Sequence, residues 1–121
     1  MSTNTPLKQR VDELISYINE GKILEAMDEF YDESIEMREN NEPPTVGLAA
    51  NIEREKQFLS SVADWKWTTW HAVAVNEDDQ VAMLEYAFEF VDTSGKTVTY
   101  EQATVQRWRD GKIIAERFYH G

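Results

Sequence analysis

The chain has 121 residues, no cysteine, four tryptophans and a formal net charge of −11. That length fits a single domain, 1–121, with one hydrophobic core, and the lack of cysteine excludes disulfides and thiolate metal sites and points to a reducing, cytoplasmic setting. The acidic balance repels phosphate backbones and anionic lipid heads, so neither nucleic acid nor membrane is expected as a partner, and the polar opening Met1–Thr5 has neither the basic nor the apolar run of a leader.

The first helix is marked by Thr5 as a cap and Pro6 at the first helical position. Leu7, Val11, Leu14, Ile15 and Ile18 follow at helical spacing, and Gly21 ends the helix. Ile23, Leu24, Met27, Phe30 and Tyr31 form the apolar stripe of a second helix. From Ser34 to Glu39 the period changes to two, which reads as a strand with Ile35, Met37 and Glu39 on one face. Asn40-Asn41-Glu42-Pro43-Pro44 is a loop. A third helix is expected over roughly Val46 to Ala63, with Leu48, Ile52, Glu55, Leu59 and Val62 on one side.

Beyond this point the alternation is that of a long antiparallel meander. Trp65, Trp67, Thr69, His71 and Val73 lie on one face of a strand, and Asn76-Glu77-Asp78-Asp79 turns the chain. Ala82, Leu84, Tyr86, Phe88 and Phe90 line one face of the next. Pairing Val75 with Gln80 sets His71 opposite Leu84, Thr69 opposite Tyr86 and Trp67 opposite Phe88, so that the apolar faces coincide. Thr93-Ser94-Gly95 turns into a strand that runs to Arg109. Asp110-Gly111 starts the last strand, Lys112 to Tyr119, with a register that can be counted in two ways. Strands this long must twist and curl, with bulges. The pattern is α+β: a cone-shaped, curved antiparallel or mixed sheet wrapped by three N-terminal helices, a cystatin-like α+β roll, with a cavity between the layers.

The order of these elements and several local motifs resemble the superfamily of nuclear transport factor two, ketosteroid isomerase and the polyketide-cyclase-like (SnoaL-like) proteins, the last group most of all. The motifs are Gly21 before the second helix, Phe30-Tyr31-Asp32-Glu33-Ser34, Trp108-Arg109-Asp110-Gly111-Lys112-Ile113, and the closing Glu116-Arg117-Phe118-Tyr119-His120. The resemblance implies a pocket for a small organic molecule and a homodimer through the outer sheet face. It places Glu39 at the general-base position of ketosteroid isomerase. The isomerase's tyrosine falls near Leu14, and its protonated aspartate falls at Ala103 or Thr104, so steroid isomerisation by that mechanism is not supported. Cyclases of the group use an acid and a histidine to move protons, and this chain has both residue types.

The candidate site residues follow. Glu39 on an apolar face is partly desolvated and suits a base that takes a proton from carbon next to a carbonyl, unless it only begins the solvated loop. His71 within the aromatic face suits a proton shuttle or ligand donor, unless it is a core histidine satisfied by Tyr86. Trp67, Thr69, Tyr86 and Phe88 would line the pocket, Tyr86 packing its ring while its hydroxyl reaches a ligand. Glu116, Phe118 and His120 share a side of the final strand. Glu116 is either a second internal acid or a partner of Arg107, and His120 either completes the pocket or frays. Trp70, with Glu85 and Glu89 on the opposite face, reads as a dimer anchor or a lone exposed aromatic.

No histidine spacing suits a metal, and no phosphate loop, nucleophile elbow or dinucleotide fingerprint is present, so no metal or cofactor is expected. The leading expectation is a cofactor-free isomerase, cyclase or hydro-lyase that moves a proton on a small apolar carbonyl compound, with Glu39 and His71 as its catalytic residues. A non-catalytic ligand-binding module and a dimerisation module of the same fold are the alternatives.

Overall fold

Leu7, Val11 and Leu14 recur at helical spacing, and all three are almost wholly removed from water. They form the inner face of α1 (Leu7–Asn19). The computed structural model describes residues 5–121, and the polar segment at 1–4 lies outside the described residues. Thr5 makes no capping hydrogen bond. The first free amides of α1, on Leu7 and Lys8, instead donate to the Glu77 carboxylate at 2.8 and 3.0 Å. This cap comes from a turn 69 to 70 residues away in sequence. Gly21, with φ of 76°, closes the helix as expected.

After α2 (Ile23–Phe30) the chain passes directly into β1 (Tyr31–Glu39). A two-residue strand, β2 (Thr45–Val46), precedes α3 (Leu48–Ser60), which is shorter than its apolar pattern suggests. The meander is β3 (Val62–Asn76), β4 (Val81–Asp92), β5 (Thr97–Arg109) and β6 (Lys112–His120). The six strands form one mixed sheet in the order β2-β1-β6-β5-β4-β3, with β1 parallel to β6 and all other neighbours antiparallel. The fold is therefore the α+β arrangement expected, three helices laid against a curved sheet. Among the described residues no helix is long and apolar enough to cross a membrane.

The core sits at one end of this sheet. Ala82, Leu84, Trp108 and Ile113 contribute from the β3–β4 and β5–β6 turn end, and Leu7, Val11, Met27 and Phe30 cover them from the helices. Arg10, only 3% exposed, lies among them. Its guanidinium donates to the carbonyls of Gly111 and Glu29 and stacks over Phe30 at 4.3 Å. The Asp110-Gly111 turn has positive φ at both residues, as a tight two-residue hairpin demands.

The register of β3 on β4 differs from the sequence expectation. Asn76 pairs with Val81 and Val73 with Leu84, so the turn holds four residues, Glu77 to Gln80. Irregularities then fall between Trp70 and Ala72, between Trp65 and Trp67, and between Val62 and Asp64. Each leaves one β3 residue without a partner and exchanges the two faces of the strand. The inward row is thus Val75, Val73, Trp70, Thr68 and Trp65, opposite Ala82, Leu84, Tyr86, Phe88 and Phe90.

Candidate functional site

Between the sheet and the helices lies a cavity of about 980 Å³. Its walls come from all three helices, from β1 and from the inward rows of β3 to β6. The volume is at the upper end of small-molecule sites, and the lining is mainly apolar with a few convergent polar groups. One wall is aromatic. Trp65 stacks on Phe88 at 5.0 Å and on Phe90 at 5.7 Å, and Phe88 stacks on Tyr100 at 5.3 Å. These rings come from neighbouring strands of a pleated sheet, which holds their planes within 26° of parallel.

On the cavity wall Glu116 is only 3% exposed. Both of its oxygens accept. Tyr31 Oη donates to Oε1 at 2.5 Å and Gln106 Nε2 to Oε2 at 2.7 Å. Trp108 Nε1 donates to Gln106 Oε1 at 3.2 Å, which fixes the orientation of the amide. Burial pushes the Glu116 carboxyl up to about 7, although the bonds from Tyr31 and Gln106 favour the ionised form. Burial and the Glu116 charge likewise raise the Tyr31 phenol well above its usual range. Nearby, Gln102 donates to Tyr86 Oη at 2.6 Å, and Tyr86 shares a 3.1 Å bond with Thr104. Burial lifts the Tyr86 phenol to about 12.

Glu39 and His120 meet farther along the wall. His120 Nε2 lies 3.0 Å from Glu39 Oε1. A carboxylate oxygen there accepts from an imidazole that carries its proton on Nε2. His120 does not fray. Its amide donates to Asn40 Oδ1 at 3.0 Å, and the Asn40 amide donates to the Phe118 carbonyl at 2.8 Å. Asn40, with φ of 48°, thereby ties the end of β6 to the end of β1.

Of the residues expected at the site, Glu39, Tyr86, Phe88, Glu116, Phe118 and His120 line the cavity. His71 and Thr69 do not. His71 is the unpaired residue of the bulge between Trp70 and Ala72, and it is exposed. Thr69 pairs with Ala87 on the outer face. Trp67, 40% exposed, stands at the rim, where it borders both the cavity and a shallow depression beside Thr99 and Glu101. The acid–histidine pair is therefore Glu39 with His120, not Glu39 with His71.

Trp70 is also reversed. It packs inward at 4.8 Å from Tyr86 and donates to Asn19 Oδ1, so it is not a dimer anchor. Arg107 pairs with Ala115 on the outer face, leaving Glu116 to Tyr31 and Gln106. The Gln102, Thr104, Gln106 row faces inward, opposite His120, Phe118 and Glu116. Tyr31, Gln106 and Asn51 were not legible as site residues. Glu55 lines the cavity too, although its charge run, Glu53-Arg54-Glu55-Lys56, reads from the sequence as a solvated helix face.

The SnoaL-like domain model matches residues 11–116. The chain belongs to the SnoaL-like family. Several solved structures share the SnoaL-like fold at low identity. A candidate SnoaL-like polyketide cyclase from Mesorhizobium loti aligns at a TM-score of 0.84 and 18% identity, over 96% of this chain and 100% of its own. A candidate isomerase from Bacillus subtilis aligns at 0.78 and 17%, over 95% and 86%. TerC, crystallised with polyporic acid, aligns at 0.78 and 11%, over 97% and 92%. No curated protein sequence matches the chain. Among the described residues no group of three or more histidines or carboxylates is placed to hold a metal ion.

Proposed function

We propose that this SnoaL-like protein is a cofactor-free isomerase, cyclase or hydro-lyase that transfers a proton on a small, largely apolar carbonyl compound held in the cavity. The observation that carries the reading is the Glu39–His120 contact on the cavity wall. Glu39 is the base, and His120 holds its carboxylate in one orientation. Tyr86 and Glu116 lie on the same cavity as further groups able to hold or give a proton to a ligand oxygen. The apolar and aromatic lining keeps water from the reacting carbon. TerC, a protein of similar fold, was crystallised with the small molecule polyporic acid, which supports a small-molecule ligand for this chain.

The test uses 2-tetralone in D₂O as a carbon-acid probe, with deuterium at the carbon next to the carbonyl followed by NMR. The protein should accelerate exchange over buffer, and Glu39→Gln should remove the acceleration. Equal exchange by Glu39→Gln would overturn the base assignment. A ligand that binds without any exchange would favour a non-catalytic binding module.

We also propose that the outer sheet face pairs with a second copy. Ala74, Met83 and Val105 lie side by side on it, next to Ala72, Ala103 and Tyr119, and Met83 is 55% exposed. Sedimentation should show a dimer that Met83→Glu converts to monomer. A monomeric parent chain would sink the proposal.

A further inference from the structure

The cavity's donors and acceptors are unevenly used. Trp65 Nε1 donates to Thr68, Trp70 Nε1 to Asn19, Gln102 to Tyr86 and Gln106 to Glu116. Tyr31 Oη is committed to Glu116, and the Asn51 amide to the carbonyls of Thr45 and Gly47. The two cationic side chains that reach the cavity are turned to its rim. Arg54 donates to Thr45 Oγ1 at 2.9 Å, and Lys66 pairs with Asp64 at 2.6 Å.

Acceptors remain. Three carboxylates, Glu39, Glu55 and Glu116, line the one cavity. The two oxygens of Glu116 are satisfied and Glu39 uses Oε1 on His120. Glu55 accepts no hydrogen bond and makes no ion pair among the described residues, although it is only partly exposed. Burial raises its carboxyl above the ordinary range, and Arg54 offsets only part of this. Across from the helices stand the faces of Trp65, Phe88 and Tyr86. Aromatic faces carry the negative end of the ring quadrupole and attract cations. The whole chain, at −11, adds a field of the same sign.

A cavity whose donors are largely engaged, with an unpaired carboxylate and π-faces, is complementary to a ligand that brings its own positive charge. We propose that the ligand is a lipophilic ammonium, an apolar ring body carrying a protonated amine, with the ammonium on Glu55 and the body along the Trp65–Phe88–Tyr86 wall. This rests on the small-molecule reading of the cavity and narrows its ligand class. An anionic ligand would meet three carboxylates on the cavity wall, with Arg54 on the exposed side to offset them only in part. A neutral one would leave Glu55 unpaired in a desolvated place, which is costly.

The experiment titrates three matched probes by calorimetry at neutral pH and low salt: 9-anthracenemethylamine, 9-anthracenemethanol and 9-anthracenecarboxylate. The amine should bind about tenfold or more tighter than the alcohol, the scale of one charge-assisted hydrogen bond, and the carboxylate weakest. Glu55→Gln should reduce the amine's preference over the alcohol to about twofold or less, with circular dichroism and cooperative thermal unfolding like the parent's showing that the variant is folded. An alcohol that binds as tightly as the amine, or an amine preference that survives Glu55→Gln, would overturn the ammonium assignment while leaving the pocket reading in place. Binding of none of the three would overturn both.

Discussion

His120 Nε2 and Glu39 Oε1 stand 3.0 Å apart, so the last residue of the final strand touches the last residue of the first. The contact exists because β1 and β6 run parallel and end together, with Glu39 opposite Phe118. Asn40 then clamps the two ends. A side chain at the tip of a free strand would have no fixed orientation. This one is held by its own backbone amide.

That geometry separates the two histidines of the chain. His120→Asn should lower the Glu39-dependent exchange of 2-tetralone by about ten- to a hundredfold, the usual range for loss of an orienting partner. His71→Asn should change neither exchange nor stability beyond about 0.5 kcal/mol, as for other exposed positions. Paired NMR exchange and urea denaturation measurements check both. A large loss of exchange in His71→Asn would contradict the site as built.

Much of this was legible from local pattern, and the failures share one physical cause. Period and turn residues located all three helices and the four long strands, because each reports on its own few neighbours. The face of β3 was not legible. The irregularities around Trp70, Trp65 and Val62 depend on how a 15-residue strand coils against β4, and no residue type marks them. Each exchanged the faces, and so His71 and Trp70 traded places. The cap of α1 was missed for a related reason. Thr5 is a better local cap than anything else nearby, but Glu77 arrives from the β3–β4 turn and takes the two amides. Glu116 was legible as an internal acid because β6 alternates cleanly from Glu116 to His120. Its partners Tyr31 and Gln106 lie on other strands, and only the sheet order brings them in.

Arg10 ties the helical layer to the sheet. It links α1 to the Glu29 carbonyl at the end of α2 and to the Gly111 carbonyl in the β5–β6 turn. Its ion pair with Glu29 adds little, since that carboxylate is half exposed. Arg10→Ala would leave the Gly111 carbonyl short of its side-chain donor, the Glu29 carbonyl with the Lys112 ammonium alone, and a gap over Phe30, a cost of about 3 kcal/mol. Arg10→Lys should recover only part, because one ammonium cannot reproduce a planar fork. Urea denaturation of the two variants measures the difference. Equal stability of Arg10→Lys and the parent chain would show that charge, not the fork, is what matters.

Glu116 makes stability depend on pH in a direction opposite to that of an ordinary paired carboxylate. Its carboxyl lies near 4.5 when solvated and is pushed up to about 7 by burial. Between those values the folded state holds a proton that the unfolded state has released. Stability is therefore fully present below about 4.5 and is lost as pH rises through about 7. Glu55, raised by burial as well, adds a slope of the same sign. In Glu116→Gln the oxygen can accept from Gln106 and the amide can donate to Tyr31 Oη, so the network survives without a titrating group. The variant should lose most of the decline between pH 5 and 8 and be the more stable protein at pH 8, where the parent carries a buried charge. Chemical denaturation at several pH values across that range decides the point. An unchanged slope in Glu116→Gln would mean that Glu116 stays ionised when buried, held by Tyr31 and Gln106 against the cost of desolvation.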